Sequence, residues 1–263
     1  MERVVIRWSP LVVAVAVGVR MTIALCGQTP EVISYSMPST VCLHEPIILD
    51  IVVRNDSNAP YRLDLGLGDI ARLTFGLVMP DGSRTSASPK TSIVRAEGHF
   101  AGMESGGHYE VAPGEQQAHY VILNRWLPFA SPGVYLLTVH FGGGVQSGAG
   151  EALAVQRNAR REIRVVPPDA DTIRRDCSRL LAVLRDPIVG RRALAALSYT
   201  TDPVAVDYLA EAAGIEGGFM AQEPIDGLVR IGTPEARRVL EDLAQSPDHW
   251  MSVSASDGLT RIK

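Results

Sequence analysis

Between residues 32 and 167 apolar side chains return at every second position. Ile47, Leu49, Ile51 and Val53 alternate with Ile48, Asp50, Val52 and Arg54. Ala71, Leu73, Phe75, Leu77 and Met79 share one face of another run, as do Tyr135, Leu137, Val139 and Phe141, and later Ile163 and Val165. Strand side chains point to alternate faces, so each run offers one apolar face to a core. Turn-forming residues separate the runs: Asn55-Asp56-Ser57-Asn58, Pro80-Asp81-Gly82, Pro113-Gly114 and Pro132-Gly133. The spacing predicts roughly seven to nine short strands in an antiparallel sandwich.

After Pro167-Pro168 the apolar period becomes helical, and the double proline marks a boundary. Ile173, Cys177, Leu180, Leu181 and Leu184 form one helical stripe. The chain then matches itself at an offset of about 31 residues. Pro203 and Pro234 each follow a capping residue, Asp202 or Thr233, which is a good helix start because the missing N–H would have been unpaired. Ala205, Tyr208, Leu209, Ala212 and Ala213 match Ala236, Val239, Leu240, Leu243 and Ala244. Asp226-Gly227-Leu228-Val229-Arg230-Ile231 recurs as Asp257-Gly258-Leu259-Thr260-Arg261-Ile262, with a degenerate earlier copy at Ala195-Ala196-Leu197-Ser198-Tyr199-Thr200. About six helices in three antiparallel pairs follow, the first pair leaning on the sandwich.

These motifs resemble known modules. Ser131-Pro132-Gly133-Val134-Tyr135 resembles the turn-plus-tyrosine entry to a late strand of immunoglobulin-like domains, in which the Tyr hydroxyl bonds back to the loop. Together with Glu45-Pro46 through Asn55 and Pro113-Gly114-Glu115, the segment looks like bacterial extracellular immunoglobulin-like modules. The C-terminal third resembles the short HEAT-like repeats of bacterial proteins, including those of the phycobilin lyase type. The resemblances imply an all-β sandwich (immunoglobulin-like) over 32–167, followed by an all-α HEAT-like helical repeat domain over 168–263. They speak to architecture and not to activity.

Residues 1–31 read as a targeting segment. Arg3 and Arg7 precede the apolar stretch 11–19, and a second stretch, 21–26, follows Arg20. The run is too short and interrupted for a comfortable membrane span. Cleavage near Ala24-Leu25-Cys26, retention as an anchor, a start at Met21, and lipidation of Cys26 all stay open. Ile23-Ala24-Leu25-Cys26 resembles a bacterial lipobox, with Leu25 where that motif wants a small residue. The expected location is exported: periplasmic, cell-envelope or extracellular. Membrane contact is expected only through this segment.

The remaining composition narrows function by exclusion. Of 263 residues 46% are hydrophobic and 21% charged, with a formal net charge of −4 and no long run of one sign, which argues against a nucleic-acid partner. Three cysteines without a CxxC indicate neither a disulfide framework nor a zinc knuckle. HExxH, GxSxG and P-loop motifs are missing, so no catalytic residue, metal or cofactor is assigned. Gly142-Gly143-Gly144 reads as a flexible loop, and the glycine-rich stretch 98–107, flanked by His99 and His108, as a mobile one. His119 and His140 are expected on an outer face, away from the face of Tyr120 and Tyr135, where two histidines alone make a poor metal set. Cys177 reads as a buried thiol, with a bridge to Cys42 as the sharper reading.

Two function classes remain. The first is an exported, non-catalytic module with a protein partner. Its candidate surface is the off-core stripe Phe219, Glu223, Asp226 and Arg230, which recurs as Trp250, Ser254, Asp257 and Arg261. The earliest copy departs from it, with Ile188, Arg192, Ala195 and Tyr199. Aromatics and arginine often dominate interfaces, although Phe219 and Trp250 also suit packing between repeats, and Asp226/Arg230 and Asp257/Arg261 suit plain i, i+4 ion pairs. The second class is a carbohydrate-binding or protease-inhibitor module acting through the sandwich loops, with Trp126 in the segment 124–132 as its candidate.

Overall fold

The computed structural model describes residues 32–67, 71–89, 106–155 and 157–262. Residues 1–31, read above as a targeting segment, and His99 with positions 98–105 of the glycine-rich stretch lie outside the described residues. Residues 31–263 cluster into one compact unit.

The first part of that unit is built of strands: β1 (Ile33–Ser36), β2 (Thr40–Cys42), β3 (Ile48–Arg54), β4 (Tyr61–Leu67), β5 (Leu73–Val78), β6 (Arg84–Ala87), β7 (Gly106–Val111), β8 (Gln116–Ile122), β9 (Gly133–Phe141), β10 (Gly144–Ser147) and β11 (Asn158–Val166). They hydrogen-bond in the orders β1-β3-β8, β10-β4-β7 and β2-β11-β9-β5-β6. Leu49, Ile51 and Val53 of β3, Leu63 and Leu65 of β4, Phe75 and Leu77 of β5, and Tyr135, Leu137, Val139 and Phe141 of β9 all enter one buried core. The three sheets therefore close on a shared interior as a β-sandwich. All pairings are antiparallel except β2 with β11, which run parallel. That pair departs from the antiparallel expectation because β2 is a three-residue edge strand that simply joins the end of β11.

The tyrosine turn is realised as read, and the turn after β3 is built on a buried asparagine. Tyr135 Oη donates to the Ser131 carbonyl at 2.8 Å while its ring sits in the core, 5.1 Å from Phe129. Asn55, fully buried at the end of β3, is satisfied on every side: its amide donates to the carbonyls of Ala59 and Val111, and its oxygen accepts from Ser57. A buried amide survives only when so paired.

Three local expectations are corrected. Gly107 and His108 lie in β7 instead of a mobile loop, since β7 pairs along β4. Gly142-Gly143-Gly144 is a tight crossing between β9 and β10: a Cβ on Gly143 would overlap the Asp64 carbonyl oxygen and the Phe141 ring. And the phase of β8 is inverted. His119 is buried and stacks 4.6 Å from Tyr109, while half-buried Tyr120 points out of the core. Val121, not Tyr120, shares the inward face with His119, opposite Leu49 and Ile51. His140 is exposed and bonds Asn158 across the neighbouring strand, so the two histidines do not meet on one outer face.

The second part comprises six α-helices among the described residues: α1 (Ala170–Ala182), α2 (Gly190–Ser198), α3 (Val206–Glu216), α4 (Gln222–Ile231), α5 (Pro234–Ala244) and α6 (His249–Arg261). Asp169, Asp202, Thr233 and Asp248 cap helix starts through their side chains, with Pro203 and Pro234 in the first turn after their caps. After Asp202 the chain first makes a short 3-10 turn, Pro203–Ala205, before α3. Ile173, Cys177, Leu197, Leu209, Leu228, Leu240 and Ala255 carry a second buried core. Helices pack as α1 with α2, α3 with α4 and α5 with α6, and α2, α4 and α6 stack in turn.

The two parts are joined by named contacts. Arg192 of α2 grips Asp50 of β3 with both guanidinium nitrogens, at 2.7 and 2.9 Å. Thr201 N donates to the His44 carbonyl at 3.0 Å, and its hydroxyl meets His44 Nδ1 at 3.1 Å. The first helix pair thus leans on the sandwich through the edge formed by β3 and β8.

Candidate functional site

The second helix of each repeat, α2, α4 or α6, begins beside a large apolar residue: Ile188, Phe219 and Trp250, which occupy the same repeat position. All three are exposed, at 89%, 65% and 55%, whereas Leu197, Leu228 and Ala255 further along the same helices are at 0%. Trp250 and Phe219 touch edge to face, 6.5 Å apart at 87°.

Local sequence sets up that contact. Asp248 Oδ1 caps α6 by accepting from the N–H groups of Trp250 and Met251, and its Oδ2 accepts from Gly218 N at 2.7 Å. Gly217 and Gly218 have φ of 60° and 49°, a left-handed turn that residues with a Cβ adopt at a cost. One aspartate thus ties the preceding repeat's turn to the next helix start and brings Phe219 beside Trp250. The Gly218 N–H, with the α6 amides, holds the Asp248 carboxyl below the usual carboxylate range.

Further along the stripe the charges serve the array. Arg261 bridges Asp226 at 2.6 Å and its own-helix neighbour Asp257 at 3.1 Å. Arg230 does not pair with Asp226 as the i, i+4 spacing suggests. Its guanidinium lies 4.0 Å over the Tyr199 ring and donates to the Ser198 carbonyl at 2.7 Å. The arginines in the last turns of α4 and α6 therefore each reach back to the preceding repeat, and Asp226 turns instead to Arg261 and Gln222.

Glu223 faces a different direction. It is half-buried, and burial pushes its carboxyl above the usual range against the opposing pull of Arg191, Arg125 and Arg230. Tyr120 on β8 lies within electrostatic reach of Glu223, Arg191 and Arg192, and burial raises its phenol. Arg192 stands 5.9 Å over the Tyr120 ring. Arg192 of α2 thus meets Tyr120 of β8 where the helices pack on the sandwich, with Glu223 and Arg191 within electrostatic reach. The inverted phase of β8 is what turns Tyr120 toward it. Sequence periodicity placed Tyr120 in the core and so missed this cluster; Asp50, a lone acid on a strand otherwise rich in Ile and Val, was the available signal that something cationic packs there.

The other candidates fare differently. Trp126 is half-buried against the sandwich core with Arg125 4.8 Å over its ring, and Leu123 and Leu127 anchor the same segment inside. That arrangement matches packing and not an open aromatic platform. Cys42 and Cys177 are both free thiols. Cys177 is buried, and burial pushes its thiol up to about 11. No group of three or more His, Cys, Asp or Glu suited to a metal ion occurs among the described residues.

No protein-family model matches the chain, and no curated protein is similar to it. Among solved structures, the CARDB domain of the PF1109 protein from Pyrococcus furiosus overlaps 51% of this chain and 85% of its own, at 10% identity and a TM-score of 0.25. The alkylpurine DNA glycosylase AlkC of Pseudomonas fluorescens, bound to DNA, overlaps 52% of this chain and 32% of its own, at 15% identity and a TM-score of 0.23. A protein designated pT26-6p overlaps 88% of this chain and 48% of its own, at 11% identity and a TM-score of 0.27. Likenesses this slight carry no argument about fold or activity.

Proposed function

We propose that this chain is an exported, non-catalytic protein-binding module, an immunoglobulin-like sandwich bearing short HEAT-like repeats, and that its partner docks along the edge marked by Ile188, Phe219 and Trp250. The observation that carries this reading is the repetition of a solvent-facing apolar residue at one repeat position, on helices that bury Leu197, Leu228 and Ala255 further along. Burying a side chain of this size is worth roughly 1.5–3 kcal/mol, and the fold forgoes much of it three times over at equivalent positions. Exposed apolar residues scattered singly need no explanation, but a ladder of them marks an interaction edge. Asp226, Arg230, Asp257 and Arg261 follow on the same helices, already organised by contacts between repeats, while Glu223 turns toward the sandwich.

The test is affinity capture from the native cell envelope with the wild-type chain and with Phe219→Ser/Trp250→Ser. The reading expects the double variant to keep its melting temperature within a few degrees and to lose a protein that the wild type retains. Unchanged capture by a stable variant would remove this edge from consideration. A melted helical array would show that the two rings are packing residues. Intact-mass measurement on protein from the native host checks export, which predicts loss of the N-terminal segment; a diacylglycerol mass on Cys26 would identify the lipid-anchored form.

A further inference from the structure

The outer face of the sheet β10-β4-β7 holds a polar hollow. Leu63 and Leu65 of β4 turn into the core, so Arg62 and Asp64 face out. Arg62 stands between Glu110 of β7 and Gln146 of β10, and Asp64 stands between His108 and Gly144. Gly144 offers no side chain where the second row would continue, and a Cβ there would meet no atom within 4 Å. The result is a cavity of about 460 Å³ lined by both rows. That size falls within the range of small-molecule sites. Part of its wall is fixed in advance. The register of β4 slips between Asp64 and Gly66, where φ is 75°, and such bulges re-aim the side chains beside them. Asp64 Oδ1 accepts from the Gly66 N–H at 2.9 Å, and its Oδ2 accepts from Arg72 at 3.1 and 3.2 Å. Arg62 and Glu110 lie opposite each other on their strands, yet no ion pair joins them among the described residues.

We infer that this hollow binds a neutral carbohydrate, one or two sugar units of a glycan. The charges of the wall select the class. Two arginines, Arg62 and Arg72, stand against two acids, Asp64 and Glu110, so neither an anion nor a cation meets a field of one sign. A phosphate or carboxylate would gain at Arg62 and be opposed by Glu110 and Asp64 beside it. Acceptors and donors alternate instead: the Glu110 carboxylate, the Arg62 guanidinium and the Gln146 amide lie side by side across three strands. A sugar hydroxyl both donates and accepts, so neighbouring hydroxyls of one ring meet Glu110 and Arg62, or Arg62 and Gln146, together. Hydrogen bonds to charged groups are the stronger kind. An amino-acid zwitterion would use Arg62 and Glu110 but leave Gln146 and the space opened by Gly144 unfilled. The site shares no residue with the Ile188–Phe219–Trp250 edge and goes beyond the protein-binding reading.

The experiment probes a printed array of neutral glycans with the fluorescently labelled full chain. Dense printing lets a weak site register. Each retained glycan is then titrated as the free sugar by saturation-transfer-difference NMR. At least one neutral glycan should be retained. Gly144→Met should abolish its binding by filling the hollow, and it should keep the melting temperature, since Gly144 has no left-handed φ and open space for its side chain. Arg62→Ala should weaken binding by about tenfold or more, and it carries the test if Gly144→Met unfolds the sheet. Gly214→Met, on a helix and also facing open space, should leave binding within about twofold. Retention of no neutral glycan overturns the proposal, as does undiminished binding by folded Gly144→Met or Arg62→Ala. Displacement of the sugar by diglycine or inorganic phosphate at a lower concentration than the free sugar itself needs would make this a site for charged ligands and overturn the carbohydrate assignment. The Gly144 and Arg62 variants leave the helical edge intact, so failure here alongside Phe219- and Trp250-dependent capture would sink the hollow and leave the edge standing.

Discussion

Arg261 closes on Asp226 at 2.6 Å across 35 residues of sequence, one repeat back. It holds Asp257 on its own helix at 3.1 Å, so one guanidinium gathers two carboxylates. The side chains are part-exposed, 42% for Arg261 and 31% for Asp226, which limits the value of the bridge. A double-mutant cycle on Asp226→Ala and Arg261→Ala, read by thermal or urea unfolding, should return a coupling of about 0.2–1 kcal/mol that shrinks with added salt. A coupling above that range would mean that the contact is better shielded than its exposure implies.

Helix stacking depends on small residues where the second helices cross. A Cβ on Gly227 would lie 2.9 Å from Leu209 Cδ2 and 3.0 Å from the Ser198 carbonyl oxygen, the same carbonyl that Arg230 uses. Gly227→Ala should therefore destabilise by about 1–3 kcal/mol through overpacking, despite the roughly 1 kcal/mol that Ala gains over Gly in a helix. Gly214 in α3 has open space where its Cβ would go. Gly214→Ala should stabilise by up to about 1 kcal/mol. Paired urea titrations of the two variants decide it, and shifts of the same sign would refute the crossing argument.

The sequence was most readable where a pattern repeats. Asp202-Pro203 and Thr233-Pro234 marked helix starts because a cap and a proline are local devices that tertiary contacts rarely override. The buried face of β3 was readable because Leu49, Ile51 and Val53 leave no competing phase. β8 misled because Tyr120 looks like a core residue and His119 does not, yet α2 covers the outer face at that point and gives the ring somewhere to go. Likewise the spacing of Asp226 and Arg230 suggested a pair, and only the neighbouring repeat reveals better partners for both. What periodicity leaves out is which neighbour covers a face, and the junction cluster consists of such residues.

The two described cysteines should differ sharply in reactivity. Burial raises both thiols, but Cys42 is half-exposed while Cys177 is buried with its thiol pushed up to about 11. The thiolate is the reacting species. At pH 7.5 and native conditions, iodoacetamide should modify Cys42 slowly and Cys177 only after unfolding, as followed by peptide mass mapping. Since neither forms a disulfide, reductant should leave the melting temperature unchanged. Fast labelling of Cys177 in the folded chain would show that α1 opens locally.

Glu223 gives the junction a pH dependence whose sign can be worked out. Its carboxyl faces Arg125, Arg191 and Arg230, which favour the charged form, and Asp226, which opposes it; Tyr120 lies across from it. Burial outweighs the arginines, so the folded-state pKa stands above the unfolded value. A carboxyl shifted upward contributes stability that is fully present below its unfolded pKa and is lost as pH rises through its folded pKa. Wild type therefore forfeits this contribution between acid and neutral pH, whereas Glu223→Gln has nothing to ionise. The variant should match wild type near pH 4 and melt higher, by at most a few degrees, at pH 7–8. If Glu223→Gln melted lower than wild type at neutral pH, the arginines would be outweighing burial. Glu223 would then be a structural counter-ion to those arginines.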